Sequence, residues 1–159
     1  QRQMCIRDST SNDLGADRRQ CNPWQIDPKI VLAETEINAL GPMMVTRGLV
    51  ELLEAGNNPV VMNTSSQLGS MVIGAMMAFD VAYNVSKAAL NMITVMSAST
   101  NKNIAFVALH PGWVKTDMGT EAAELEVPDA ANAIVESLLG LTIEDTGRFI
   151  RWDGTDHPW

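Results

Sequence analysis

A chain of 159 residues with 46% apolar content, a mean hydropathy of zero and a formal charge of −8 suits one domain with a buried core. Its acidity, with an isoelectric point near 4.6, argues against a nucleic-acid or anionic-membrane surface, because both call for clustered Lys and Arg to neutralise phosphate. The most apolar uncharged stretch, 67–79, is broken by Gly69, Ser70 and Gly74 and is shorter than the roughly 20 helical residues a bilayer needs, so no membrane span is expected.

Residues 1–20 are polar, with Asn, Asp, Ser and Gly breakers and no sustained apolar period, and are expected to be loop or disorder. Within them, 1–9 look like a translated sequencing-adapter read, which would make the apparent start artefactual, and they lack the apolar run of a secretory signal. Cys5 and Cys21 have neither CxxC spacing nor a neighbouring His cluster, so no metal site or disulfide framework is suggested and the cytoplasm is the default compartment. The domain proper is expected over 21–159.

Ile30, Leu32, Ile37, Leu40, Met44, Leu49 and Leu53 recur at helical intervals and predict a helix over 28–55, kinked or broken at Gly41-Pro42. Gly56-Asn57-Asn58-Pro59 is a turn, and Val60-Val61-Met62-Asn63 suits a buried parallel strand. A second helix is predicted over 81–100, with Ala82, Val85, Ala89, Met92 and Met96 on one face, ending at Asn101-Lys102-Asn103. Residues 104–109 read as another buried strand. An acidic loop over 121–129, a helix over 128–139 and a short strand over 148–152 complete the chain. Strand, helix, strand, helix, strand is the pattern of a parallel α/β sheet.

Of three candidate sites, the first and third follow predicted strands, where open α/β sheets place ligand-binding groups, and the second lies on the helix between them. The first is Asn63-Thr64-Ser65-Ser66-Gln67-Leu68-Gly69, whose hydroxyls could polarise a carbonyl or could simply form a turn. The second is Tyr83-Asn84-Val85-Ser86-Lys87, which puts a phenol and an ammonium four residues apart on one helix face. A free phenol titrates near pH 10, and lowering that by about three pH units takes about 4 kcal/mol of differential stabilisation, which a neighbouring cation can supply. By itself such a pair is far more often a helix anchor and a solvated charge, since two common residues recur at this spacing by chance. The third is His110-Pro111-Gly112-Trp113-Val114-Lys115-Thr116-Asp117, in which Thr116 could cap a helix and His110 is taken as structural.

In that order the three segments resemble the short-chain dehydrogenase/reductase family, and within it the small carbonyl-reductase-like members. The phrases that carry the resemblance are Asn-Ala-Leu-Gly-Pro over 38–42, Ser-Lys-Ala-Ala-Leu-Asn over 86–91, Leu-His-Pro-Gly-Trp-Val-Lys-Thr-Asp-Met-Gly over 109–119 and Trp-Asp-Gly-Thr over 152–155. The resemblance implies the C-terminal portion of a Rossmann-type, doubly wound parallel sheet that lacks the first strand-helix-strand units. It implies an NAD(P)-dependent oxidoreductase that moves hydride between nicotinamide and a small carbonyl or alcohol substrate, and a homo-oligomer formed through the two long helices. Tyr83 would be the acid/base, Ser66 would hold the substrate oxygen, and Lys87 would assist Tyr83 and bind the nicotinamide ribose. Asn38 would support a water linking Lys87 to solvent, while Pro111, Gly112, Val114 and Thr116 would line the nicotinamide side, with Thr116 on its carboxamide.

The sequence departs from the family in having no Thr-Gly-x-x-x-Gly-x-Gly turn to seat a pyrophosphate, and Asn12-Asp13-Leu14-Gly15 matches the family's Asn-Asn-Ala-Gly segment poorly. A second expectation therefore stands beside the first: a non-catalytic α/β fragment or interaction module unable to bind cofactor. A serine hydrolase is disfavoured, since there is no Gly-x-Ser-x-Gly elbow and neither His110 nor His157 has an evident orienting partner.

Overall fold

The two uncharged runs that follow Asn-rich turns form the centre of a four-stranded, all-parallel sheet. The computed structural model describes residues 2–5, 22–77 and 80–159. Strands β2 (Val60–Thr64) and β3 (Ala105–His110) pair from Val60 opposite Ala105 to Thr64 opposite Leu109. β4 (Phe149–Arg151) lies on the far side of β3. The backbone of Arg2–Cys5 forms β1 beside β2, with Arg2 opposite Val60, so the loop expected there is corrected to a strand for these four residues. Backbone pairing to an existing strand supplies the order that side-chain pattern does not announce. The remainder of the expected loop, with Asn12 to Gly15 and Cys21, lies outside the described residues.

Because side chains alternate along a strand, β2 and β3 feed two cores. Val60, Met62, Ala105, Val107 and Leu109 join Ile150 and Leu141 under α4 (Val127–Gly140), through its Ile134 and Leu138. Val61 and Phe106 face the other way, onto Leu49, Val50 and Leu53 of α2 (Gly41–Glu54) and Ala98 of α3 (Val81–Thr100). Helices on both faces of a parallel sheet make the arrangement doubly wound and of Rossmann type, as the resemblance implied. No helix among the described residues is long and apolar enough to cross a membrane.

The helix expected over 28–55 is three pieces. α1 (Pro28–Thr35) is capped by the Asp27 side chain, a π-helical segment covers Glu36–Leu40, and α2 follows. The irregularity thus lies just before Gly41-Pro42 rather than at it. Pro42 has no N–H to donate to the carbonyl four residues back, which is that of Asn38, and the Gly41 N–H reaches instead to the Glu36 carbonyl, five residues back. The apolar pattern marks the helix without marking its buried side: Leu49 and Leu53 pack in the core. Leu32, Ile37, Leu40 and Met44 are exposed, whereas Glu34 and Asn38 are buried.

Helix α3 has the expected bounds. The Asp80 carboxylate accepts from the Ala82 and Tyr83 amides at 3.0 and 3.2 Å, and Asn101 ends the helix by accepting from the Asn103 and Ile104 amides. Its apolar stripe divides: Ala82 is buried, but Val85, Met92 and Met96 are exposed. The side chains it turns inward include Ser86, Lys87, Asn91 and Thr94.

Candidate active site

The first turn of α3, fixed by the Asp80 cap, holds Tyr83 half-buried and carries Lys87 one turn further on, almost fully buried. The Lys87 Nζ donates to the Thr64 carbonyl at the end of β2, at 3.0 Å, and lies 5.4 Å from the centroid of the Tyr83 ring. A buried ammonium needs such acceptors. Gly69 lets the strand-end segment come this close: a Cβ there would stand 2.8 Å from the Lys87 carbonyl carbon.

The serine pair divides its duties. Ser65 donates to Asn91 Oδ1 at 2.5 Å, and Asn91 Nδ2 donates to the Gly69 carbonyl at 3.2 Å, which ties the strand end to α3. Ser66, also buried, accepts from the Leu68 amide at 3.2 Å and caps the short turn that follows. The local capping role and the position at the strand end are therefore both realised in Ser66.

Asn38 reaches the same helix from the other side. Its Nδ2 donates to Ser86 Oγ at 3.0 Å and to Glu34 Oε2 at 2.9 Å, and Ser86 Oγ donates to the Tyr83 carbonyl at 2.8 Å. Tyr83, Lys87, Asn38 and the strand end carrying Ser66 thus form one connected network.

Residues 111–116 follow β3 at the neighbouring strand end. Pro111 and Gly112 are half-buried, and Gly112 has φ +87° with no room for a Cβ, which would meet the side chains of Leu125 and Trp152. Val114 bridges Leu125, with backbone bonds on either side from the Lys115 amide to the Leu125 carbonyl and from the Leu125 amide to the Trp113 carbonyl. Trp113 Nε1 donates to the Gly119 carbonyl at 2.7 Å and Lys115 pairs with Glu126, so this loop is folded upon itself. Thr116 is exposed; its hydroxyl accepts from the Gly119 amide at 3.1 Å and caps a turn rather than a helix.

His110 is buried at the end of β3, edge-on to His157 at 5.2 Å, and His157 stacks on Phe149 at 4.7 Å. Burial, with the neighbouring charges of His157 and Arg151, lowers the His110 pKa to about 4. Burial first and Arg151 second lower that of His157 as well. Sequence reading passed over Glu34, Ser86, Asn91 and the Asn63–Thr94 hydrogen bond at 2.9 Å. The spacing of Glu34 from Asn38, one helical turn, was the available signal.

The family model described as short chain dehydrogenase matches residues 18–126, and the chain belongs to that family. C-signal of Myxococcus xanthus is 37% identical over 155 residues, covering 93% of this chain and 90% of that protein. Short-chain dehydrogenase srdF of Neurospora crassa is 35% identical over 148 residues, covering 85% of this chain and 58% of its own length. Among solved structures, the carbonyl reductase Sniffer of D. melanogaster superposes with a TM-score of 0.81 at 31% identity, over 87% of this chain and 60% of that one. The NADPH-bound carbonyl reductase from chicken fatty liver gives 0.80 at 27% identity, over 91% and 64%. The chain is an oxidoreductase-family protein of the small carbonyl-reductase-like type that spans about three fifths of the length of these dehydrogenases and reductases.

Proposed function

We propose that the protein is an NAD(P)-dependent oxidoreductase acting on a small carbonyl or alcohol substrate in the cytoplasm. The observation that carries this is the network joining Tyr83, Lys87 and Asn38 at the end of β2 beside Ser66. Tyr83 exchanges a proton with the substrate oxygen, Ser66 hydrogen-bonds that oxygen, and the Lys87 ammonium near the phenol ring favours the phenolate form. Asn38 holds its water from the π-helical segment. Lys87, Tyr83 and Thr116 suit a nicotinamide ribose and carboxamide in donor chemistry, and Gly112, too crowded for a side chain, keeps Pro111, Val114 and Thr116 in their turn. The cofactor supplies the hydride when bound. Exposed Met71, Trp113 and Met118 favour a fairly apolar substrate. Met43, Met44 and Val45 on α2 and Met92 and Met96 on α3 are exposed, which suits a homo-oligomer built on these helices.

Titration of the chain with NADPH and NADH by fluorescence, beside a carbonyl-reduction assay of Tyr83→Phe, tests the reading. Saturable binding is expected, with turnover reduced at least about 100-fold in the variant. A second reading, a non-catalytic α/β module, is favoured by one observation: the relative whose length this chain spans to 90% is named C-signal rather than dehydrogenase. A folded chain that binds neither nucleotide would support it over the first.

A further inference from the structure

Glu34 is a buried carboxylate with no part in the reaction just described, and it is linked to the Tyr83 carbonyl through two hydrogen-bonded intermediaries, Asn38 and Ser86. A carboxylate only accepts, so the Asn38 amide must present its nitrogen to Glu34 Oε2, at 2.9 Å. The second hydrogen of that nitrogen goes to Ser86 Oγ at 3.0 Å. A hydroxyl has one proton, so Ser86, receiving from Asn38, is directed to donate its own to the Tyr83 carbonyl at 2.8 Å. With an apolar group at 34 the amide could turn over, place its oxygen at Ser86, and draw the hydroxyl proton away from Tyr83.

We propose that Glu34 is a positioning residue: it sets the donor-to-acceptor direction of the chain Glu34, Asn38, Ser86, Tyr83 and thereby holds the first turn of α3, and the Tyr83 phenol with it, against Lys87. The inference rests on the reading of Tyr83 as the acid/base. Among the described residues, the charged side chains tied to this first turn are Asp80 at its N-cap, Lys87 over the Tyr83 ring and Glu34 through Asn38, and residues 64–77 hold no titratable side chain.

Tyr83 is the only tyrosine in the chain, so the ultraviolet absorbance of phenolate reports on it alone, without cofactor or substrate. We expect Glu34→Leu to raise the phenol midpoint by about one pH unit as the ring loses its place beside Lys87. Glu34→Gln, which keeps an acceptor oxygen, stays within a few tenths of a unit of the parent. Loss of negative charge alone would lower the midpoint in both variants, so equal shifts of Leu and Gln in either direction overturn the proposal, as does an unmoved Leu variant. Ser86→Ala cuts the chain at its other end and leaves Glu34 in place; it must also raise the midpoint, and its failure to do so overturns the proposal even if the Leu variant does not fold. If the chain binds no nucleotide, the acid/base reading falls while these midpoints still separate. If turnover persists and the midpoints coincide, the positioning role falls alone.

Discussion

β3 and α3 lie against each other and are assembled on different rules. Every residue of β3 is buried, and all but His110 are apolar, so the strand is held by transfer from water and by close packing. α3 turns Ser86, Lys87, Asn91 and Thr94 inward beside Ala82, Leu90 and Ala98, and leaves Val85, Met92 and Met96 outside. The polar part of its buried face is held by directed hydrogen bonds to Thr64, Ser65, Gly69, Asn38 and Asn63, beside the apolar contact that Ala98 makes with the α2 side of the sheet. Volume decides the first region, and donor-acceptor matching is added to it in the second. A face that must also place a phenol and an ammonium at a strand end needs the second kind of order, because apolar packing does not fix the direction of a proton.

The largest expected effect lies on the sheet side. Phe149, almost fully buried in β4, stacks on His157 at 4.7 Å and contacts Trp159 at 5.1 Å. Phe149→Ala should lower unfolding stability by about 3–5 kcal/mol, read from the denaturant midpoint, and a cost under about 1 kcal/mol would show that this core is loosely packed. Next in size is the acid response of the histidine pair. Folding holds His110 at about 4, against 6.5 in the unfolded chain, so below pH 6.5 the unfolded state takes up a proton that the folded state refuses. The contribution is intact above pH 6.5 and is lost as pH falls toward 4, by about 3 kcal/mol, with His157 acting in the same direction. Denaturation across this range should slope steeply for the parent and less steeply for His110→Asn; parallel slopes would refute the assignment.

A pair of near-isosteric exchanges tests the comparison itself. Thr94 Oγ1 accepts from Asn63 Nδ2 at 2.9 Å and donates to the Leu90 carbonyl at 2.8 Å, and Asn63 Oδ1 has no hydrogen-bond partner among the described residues. Thr94→Val would remove the Thr94 hydroxyl from a buried amide, at about 1–3 kcal/mol, despite being more apolar. Val107→Thr puts a hydroxyl into the apolar cluster of β3 and should cost a similar amount. If Thr94→Val stabilises the protein instead, α3 obeys the same rule as the sheet.

The same contrast explains what could be read beforehand. β2 and β3 were legible because uninterrupted apolar runs between Asn-rich turns have few alternatives, and the ends of α3 because Asp80 and Asn101 are cap residues. Spacing placed Tyr83 and Lys87 on one helix and Ser65-Ser66 just past a strand end, but only the family resemblance singled out Tyr83, Lys87 and Ser66 as a site. The orientation of α3 was not: periodicity marks an apolar face without saying whether sheet or solvent lies beyond it, and here Lys87 goes in while Met92 stays out. Glu34 stood in the run Ala-Glu-Thr-Glu-Ile beside Glu36, which is exposed. Only the packing of α1 on α3 tells the two carboxylates apart. The Arg2–Cys5 strand escaped for the opposite reason, since its order comes from the backbone of β2.

The smallest expected effect on folding falls on the outward stripe of α3. Met92 and Met96 are more than half exposed, at 61% and 55%, so replacing both with Lys removes little buried apolar area. At low protein concentration the unfolding free energy of Met92→Lys/Met96→Lys should stay within about 0.5 kcal/mol of the parent. A homo-oligomer seated on this stripe would respond otherwise at high concentration, because two added charges would have to be desolvated at its centre. Sedimentation should then show the parent assembled and the variant dissociated. Equal sedimentation of the two would remove this stripe from the interface, and a large loss of stability at low concentration would mean that α3 uses its apolar side for packing within the chain after all.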